Sequence, residues 1–226
     1  MKPVLNLITV TAAGVALLAG GVAQAQQAGS MMARIGVTQI TPDVSSGNLS
    51  APSFAGTQAD ILSNTQPSGG FTYMVTDSIA IDVPIAPQFK HNIVGTGAIA
   101  GVGKIGEVKA LPVTVVAQYR FMEAKSAFRP YVGLGLTYAS FSDEKSTAVL
   151  SALTGGTPAR PTTLAVDSKF ALSPQIGFTV AVNERWFVDA SVTKSFLKTR
   201  TSLSTGQTLD AKLDPSAYAI TIGYRY

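Results

Sequence analysis

The chain has 226 residues, of which 46% are hydrophobic and 13% are charged, and this apolar balance is unusual for a water-soluble domain. The formal net charge of +4 is too small and too dispersed to indicate a nucleic-acid partner. The absence of cysteine excludes a disulfide framework, a thiolate metal site, a cysteine nucleophile and a lipid-modified cysteine.

The amino terminus has the three parts of a secretory signal. Lys2 is followed by an apolar stretch from Val4 to Val22 and then by Ala23-Gln24-Ala25, a small-x-small cleavage signature. We predict a cleaved signal peptide over residues 1–25 and a mature domain over residues 26–226. A retained membrane anchor is the alternative, which the polar and glycine interruptions of the apolar stretch disfavour.

The mature sequence alternates between apolar residues and small, polar or charged residues, which is the pattern of β-strands. It contains no apolar run of the roughly 20 residues that a transmembrane helix needs. The alternation predicts about eight strands, the number of the smallest common membrane barrels. They cover residues 33–38, 71–76, 79–85, 111–121, 132–139, 172–182, 186–193 and 217–226.

The charges of these strands lie on the small-polar face, and the apolar face has almost none. A soluble sandwich or lipocalin-like barrel would show the opposite arrangement, with charge outside. We therefore expect the apolar face to contact lipid in a closed antiparallel barrel, which leaves no unpaired sheet edge in hydrocarbon. Aromatic residues near the strand ends are typical of two interfacial girdles, with Tyr131 and Trp186 toward one rim and Phe170 and Tyr218 toward the other.

The connections between strands alternate in length. Short connections face the periplasm in such barrels and long ones face outside. The short connections cover residues 76–78, 122–127 and 183–185, and the long ones cover 42–69, 87–110, 142–169 and 198–214. The third long connection is rich in Ser, Thr, Gly and Pro and is expected to be mobile. The last strand ends on the aromatic Tyr226, as expected of a signal for the barrel-insertion machinery.

Four segments resemble the outer membrane protein W (OmpW) family, and the most specific is Phe128-Arg129-Pro130-Tyr131-Val132-Gly133-Leu134-Gly135. The others are residues 70–77, 111–121 and 223–226. The resemblance implies an eight-stranded all-β barrel in a Gram-negative outer membrane. It also implies a narrow, apolar-lined channel for small hydrophobic molecules, with lateral exit into the membrane as one route.

The lumen of an eight-stranded barrel is just wide enough for its own side chains. The strand phase points Arg34, Asp82, Gln118, Arg120, Asp189 and Arg225 inward. We expect these charges to pair and brace the lumen in preference to forming an ion path. Cargo from outside would then leave through the wall, where a proline can interrupt strand pairing. The candidates for such an interruption are Pro84, Pro87, Pro112 and Pro174, which alternatively only mark strand ends or bulges.

The resemblance places a hydrophobic constriction near the outer rim, where it matches Pro84 and Phe170. Met74, Phe89 and Val116 are further lining candidates. The strand phase points Phe170 toward lipid, so its channel role requires a bulge, for which Pro174 is the candidate.

The sequence offers little for catalysis. His91 is the only histidine, and no serine and acid are arranged with it as a hydrolase requires. We therefore expect no enzyme activity, no cofactor and no metal site. The expected partners are outer-membrane lipids, small hydrophobic molecules and the insertion machinery. A surface-binding or adhesin role on the long loops, or a structural barrel without transport, is the alternative.

Overall fold

The computed structural model describes residues 26–226, so the predicted signal peptide lies outside the described residues. In this part of the chain no helix is long and apolar enough to cross a membrane.

The described chain is almost entirely β-structure, with one short helix. In chain order the elements are β1 (Met31–Thr41), β2 (Ser45–Ser46), β3 (Thr57–Ile61), β4 (Asn64–Met74), β5 (Ile79–Ile85), β6 (Phe89–Gly97), β7 (Lys104–Arg120), β8 (Phe128–Ser146), α1 (Ala148–Thr154), β9 (Leu164–Val166), β10 (Lys169–Ala181), β11 (Trp186–Lys194), β12 (Lys198–Leu203), β13 (Thr208–Lys212) and β14 (Ser216–Arg225).

Eight of these strands form a closed antiparallel barrel. The wall runs in the order β1, β4, β5, β7, β8, β10, β11 and β14. Pairing of β1 with β14, from Met32 opposite Arg225 to Thr41 opposite Ser216, closes the ring. The predicted eight-stranded barrel is confirmed.

Side chains alternate across the wall as the sequence predicts. Ile35 and Ile176 are 71% and 62% exposed on the outer face, whereas Thr72 and Ser173 are buried in the lumen. One predicted girdle residue is wrongly assigned: Tyr131 is buried, because it shares the inward phase of Arg129. Its phenol therefore belongs to the lumen and not to the lipid interface.

The long connections form a second layer over one end of the barrel. β6 extends the wall by pairing with the first part of β7, and β3 pairs with β6. The strands β2, β13, β12 and β9 form a separate four-stranded sheet. An apolar cluster between these elements holds them together: Leu49, Ile99, Ile105, Leu150, Leu164 and Leu203.

The third long connection, expected to be mobile, contains the helix α1. The side chain of Thr147 accepts a hydrogen bond from the Leu150 N–H at the first turn, and Gly155 ends the helix at φ 84°. This left-handed conformation favours glycine because it has no Cβ. Capping at both ends explains how a segment of only seven residues is helical despite its composition.

The short turns lie at the opposite end of the barrel, as the alternation of connection lengths predicts. An aromatic row stands at this rim, where Tyr224 packs against Trp186 and Tyr226 with ring centroids 5.2 and 5.0 Å apart. Recognition of the last strand by insertion machinery stays a prediction.

Candidate functional site

A layer of hydrogen-bonded polar side chains closes the periplasmic half of the lumen. Its upper part is an ion pair in which Arg34 on β1 donates to both carboxylate oxygens of Asp82 on β5, at 2.5 and 2.8 Å. Thr72 on the intervening β4 donates to the same carboxylate at 2.5 Å and accepts from Arg34 at 2.8 Å. All three groups are thus satisfied within the barrel.

Across the lumen, a second group of polar side chains fills the same half. The Tyr131 hydroxyl donates to Asp189 at 3.0 Å, and the Arg120 guanidinium lies 4.7 Å from the centroid of the Tyr131 ring. Arg120 donates to the side-chain oxygens of Gln118 and Thr179, at 2.9 and 3.1 Å. Arg120 is therefore held by neutral oxygens and an aromatic face.

Below these residues, Gln26, the first described residue, completes the polar layer, which we call the floor of the lumen. The side-chain oxygen of Gln26 accepts from Arg120 at 2.9 Å, and its carbonyl accepts from Arg129 at 3.0 Å. Arg225 lies over the Phe187 ring, 5.3 Å from its centroid. Sequence analysis missed Arg129, although its phase, two residues before Tyr131, already indicated the lumen.

The predicted charged residues are thus all in the lumen, but they do not form one network of ion pairs. Arg34 and Asp82 make a direct salt bridge with each other, whereas Arg120 and Asp189 contact amide, hydroxyl and aromatic groups. The charges of Arg120 and Asp189 did not by themselves predict their contacts, because their nearest partners are neutral amide, hydroxyl and aromatic groups.

Above the floor the lumen opens into a cavity of about 140 Å³, which we call the lumen cavity. Part of its wall is a chain of hydroxyls in which Thr114, Thr137, Ser173 and Ser195 bond in sequence at 2.9, 2.7 and 2.8 Å. Since these hydroxyls bond to one another, they do not require a polar ligand. The wall is therefore less polar than its composition indicates.

A second cavity of about 80 Å³, the vestibule, lies under the extracellular sheets. Most of its lining is aliphatic, and it includes all six residues of the apolar cluster described above. Four residues line both cavities, and we call them the neck: Ile61, Val108, Phe141 and Leu213. The two cavities are therefore adjacent, with these apolar side chains between them.

His91 lies beside this passage without the surroundings of a catalytic base. Its Nδ1 donates to the carbonyl oxygen of Leu62 at 2.8 Å, and its ring stacks on Phe89 with centroids 6.4 Å apart. Burial lowers the pKa of His91 below its usual value. His91 thus contributes a neutral ring to the upper lumen at pH 7.

The barrel wall is interrupted beside the lumen cavity. β5 and β7 pair from Ile79 opposite Tyr119 only as far as Asp82 opposite Val116. Above this point Pro84 stays paired to β4 and Pro112 stays paired to β8. The two strands therefore separate toward the outer rim, and both prolines line the cavity at the gap.

The predicted lining residues are distributed over three places. Pro84 and Phe89 line the lumen cavity. Val116 is buried in the lumen, where its methyl groups leave no room for a side chain at Gly133: a Cβ there would lie 2.7 Å from Cγ1. Met74 lies outside the cavity, because it ends β4 near the periplasmic rim and packs against Phe187.

The assignment of Phe170 to the channel is wrong. Its side chain is 67% exposed on the outer face and packs against Tyr138 with ring centroids 4.8 Å apart. The bulge that would turn it inward is not there, because β10 pairs with β8 in continuous register from Lys169 to Val180, through Pro174.

Comparisons with known proteins agree with this architecture. A model of the OmpW family matches residues 27–226. Outer membrane protein W of Vibrio cholerae is 35% identical over 208 residues, covering 89% of this chain and 91% of that protein. The Escherichia coli protein of that name is 33% identical over 222 residues, covering 97% and 99%.

The crystal structure of the outer membrane protein OprG from Pseudomonas aeruginosa superposes with a TM-score of 0.79 at 29% identity, covering 90% of this chain and 99% of that one. The chain therefore belongs to the OmpW family of outer membrane proteins, which are β-barrels without enzymatic activity.

Proposed function

We propose that this barrel takes up small hydrophobic molecules from outside and releases them sideways into the outer membrane. The cargo enters the vestibule, crosses the neck into the lumen cavity and leaves between β5 and β7. Pro84 and Phe89 line this route, and the buried Arg34 and Asp82 pair forms its floor.

The chemistry of the two cavities supports an apolar cargo. The neck consists of aliphatic and aromatic side chains, and the lining of the vestibule above it is mostly aliphatic. An ion that entered this route would lose its hydration without gaining a binding partner, which is unfavourable. An apolar molecule is instead stabilised when its surface leaves water. The route therefore favours hydrophobic solutes over ions and sugars.

The floor argues against passage straight through the barrel. The side chains of Arg34, Asp82, Arg120 and Asp189 are buried, and hydrogen bonds from several strands hold them. Opening the floor would break these bonds and leave buried charges without partners, which is costly.

The observation that carries the proposal is the gap between β5 and β7 beside the cavity. Unpaired strand edges are unfavourable in hydrocarbon, and a proline has no N–H to leave unsatisfied. Pro84 and Pro112 stand on the two sides of this gap, so each removes one donor from the exposed edges. The pairing between β5 and β7 is thus broken at the level of the cavity, which supports a lateral exit there.

A cross-link across the gap tests the lateral exit. The chain has no native cysteine, so Ile85→Cys with Val113→Cys can be joined by a reducible bis-methanethiosulfonate reagent. Uptake of a fluorescent apolar probe by cells is expected to fall on cross-linking and to recover on reduction. The matched control is Ile79→Cys with Tyr119→Cys, which lie opposite each other where the same strands are paired, and whose cross-linking is expected to leave uptake unchanged.

Uptake that persists after complete cross-linking of the first pair would contradict the lateral exit. A folded, uncross-linked barrel that gives no uptake with probes of several sizes would contradict the channel itself and favour a surface-binding role.

A further inference from the structure

Two lysines face each other directly in the extracellular four-stranded sheet. Lys198 on β12 pairs with Lys212 on β13, and like charges at opposite positions of a ladder destabilise it. The ammonium of Lys212 contacts Asp214 at 2.9 Å. Lys198 forms no salt bridge with any residue of the part of the chain that the structure describes. Its positive charge therefore lacks a counterion within that part of the protein.

These lysines border an open depression on the outside of the sheet. It is lined by four cationic side chains, Lys169, Lys198, Arg200 and Lys212, and by two carboxylates, Asp167 and Asp210. The carboxylates are already engaged, Asp210 by Arg200 at 2.7 and 2.8 Å and Asp167 by Lys169 at 3.3 Å. Because Asp214 also neutralises Lys212, four cations against three anions leave a formal charge of +1, which Lys198 carries and which suits a phosphate.

The depression lies directly above the lipid-facing surface of the barrel. The backbone of Phe196 forms an isolated β-bridge with Leu172 of the barrel wall. The side chain of Phe196 is 54% exposed, whereas that of Leu197, which lies between Phe196 and Lys198, is buried. Phe196 and Lys198 therefore point to the same, outer side. Two residues along a strand span about 7 Å, so the ammonium lies just beyond an aromatic residue of the kind that marks the membrane interface.

We propose that this depression binds the phosphate group of a phosphorylated glycolipid, the lipid A of the outer leaflet. Lys198 and Lys212 contact the phosphate, and the acyl chains lie against Phe196, Leu172 and Phe170 on the wall below. An ammonium is a compact charge that binds phosphate well. The vertical order of apolar wall, aromatic residue and cation matches the order of acyl chain, interface and phosphate in that lipid. This role is independent of the channel.

The test compares binding of fluorescent diphosphoryl lipid A to the refolded barrel in neutral detergent. Lys198→Gln with Lys212→Gln is expected to weaken binding about tenfold, because two charge-assisted contacts are lost. The matched control, Lys104→Gln with Lys145→Gln, removes the same charge from exposed extracellular strands outside the depression and is expected to change affinity by less than about twofold, as exposed pairs contribute little. Folding of each variant is verified by heat-dependent gel mobility.

Two further ligands identify what is recognised. Lipid A without phosphates is expected to bind as weakly to the wild-type barrel as lipid A does to the double variant. Inorganic phosphate is expected not to compete at equal concentration, since it lacks the acyl contacts. Unchanged affinity in the double variant, an equal loss in the control pair, or full competition by inorganic phosphate would each overturn the proposal.

Discussion

The guanidinium of Arg34 holds both carboxylate oxygens of Asp82, two strands away around the barrel, at 2.5 and 2.8 Å. Gly70 on the strand between them makes this contact possible, because a Cβ there would lie 2.9 Å from the Arg34 Nη2 atom. The ion pair thus ties three neighbouring strands together at the floor of the lumen cavity.

We expect Asp82→Asn to destabilise the barrel by about 3–5 kcal/mol, because it leaves the buried Arg34 charge without its anion. Urea unfolding in lipid vesicles, followed by tryptophan fluorescence, measures this change. Asp143→Asn removes an acid from an exposed ion pair with Lys109 and should have little effect. The double variant Arg34→Gln with Asp82→Asn should lose less stability than Asp82→Asn alone, and an equal or greater loss would contradict the pairing.

A charge in the neck should block an apolar cargo. Val108 is buried and lines both cavities, so Val108→Arg is expected to lower uptake of an apolar probe by at least about tenfold through the cost of desolvating the charge. Val149→Arg introduces the same group at a residue that is 38% exposed on α1 and should not alter uptake. The amount of folded barrel in each strain is compared by gel mobility. Equal uptake by both variants would remove the neck from the route.

The two phenylalanines near the outer rim should behave differently. Phe89 is buried and lines the lumen cavity, so Phe89→Ala is expected to widen the passage and raise uptake of bulky apolar probes relative to small ones. Phe170 contacts Tyr138 on the outer face, so Phe170→Ala should leave this ratio unchanged. The measurement is the ratio of uptake rates for two probes of different width. A change of the ratio in Phe170→Ala would place that residue back in the channel.

At the extracellular end of β7, Glu107 is surrounded by lysines. Hydrogen bonds from Lys104 and Lys90 lower the pKa of Glu107 from 4.5 to about 2, and Lys104 lies 2.6 Å from the carboxylate. A pKa that is lower in the folded state stabilises the fold at pH values above the unfolded-state pKa. This contribution is lost as the pH falls from 4.5 toward 2. We expect the ¹³C NMR signal of the Glu107 carboxyl carbon to titrate with a midpoint near pH 2. The substitution Lys104→Gln is expected to raise this titration midpoint. A wild-type midpoint near 4.5 would contradict these contacts.

The orientation of each wall residue followed from the sequence, because alternation along a strand is a local property. It placed Ile35 toward lipid and Thr72 in the lumen, and it correctly pointed Phe170 outward. The family resemblance suggested the opposite for Phe170, and the continuous register through Pro174 decided against it. Tyr131 is the exception: its position near a strand end predicts a girdle residue, whereas its phase points into the lumen, where it is buried.

Only the tertiary structure decided which side chains lie at the same height and which strands separate. That Asp82 meets Arg34, and that β5 leaves β7 above Val116, depends on the stagger of strands closed into a ring, and a single strand carries no information about its neighbour's register. The pairing of Lys198 with Lys212 across the extracellular sheet has the same origin. The amino-acid sequence thus determined the strands and the face each residue occupies, whereas closure of the barrel determined the floor, the gap and the extracellular cationic depression.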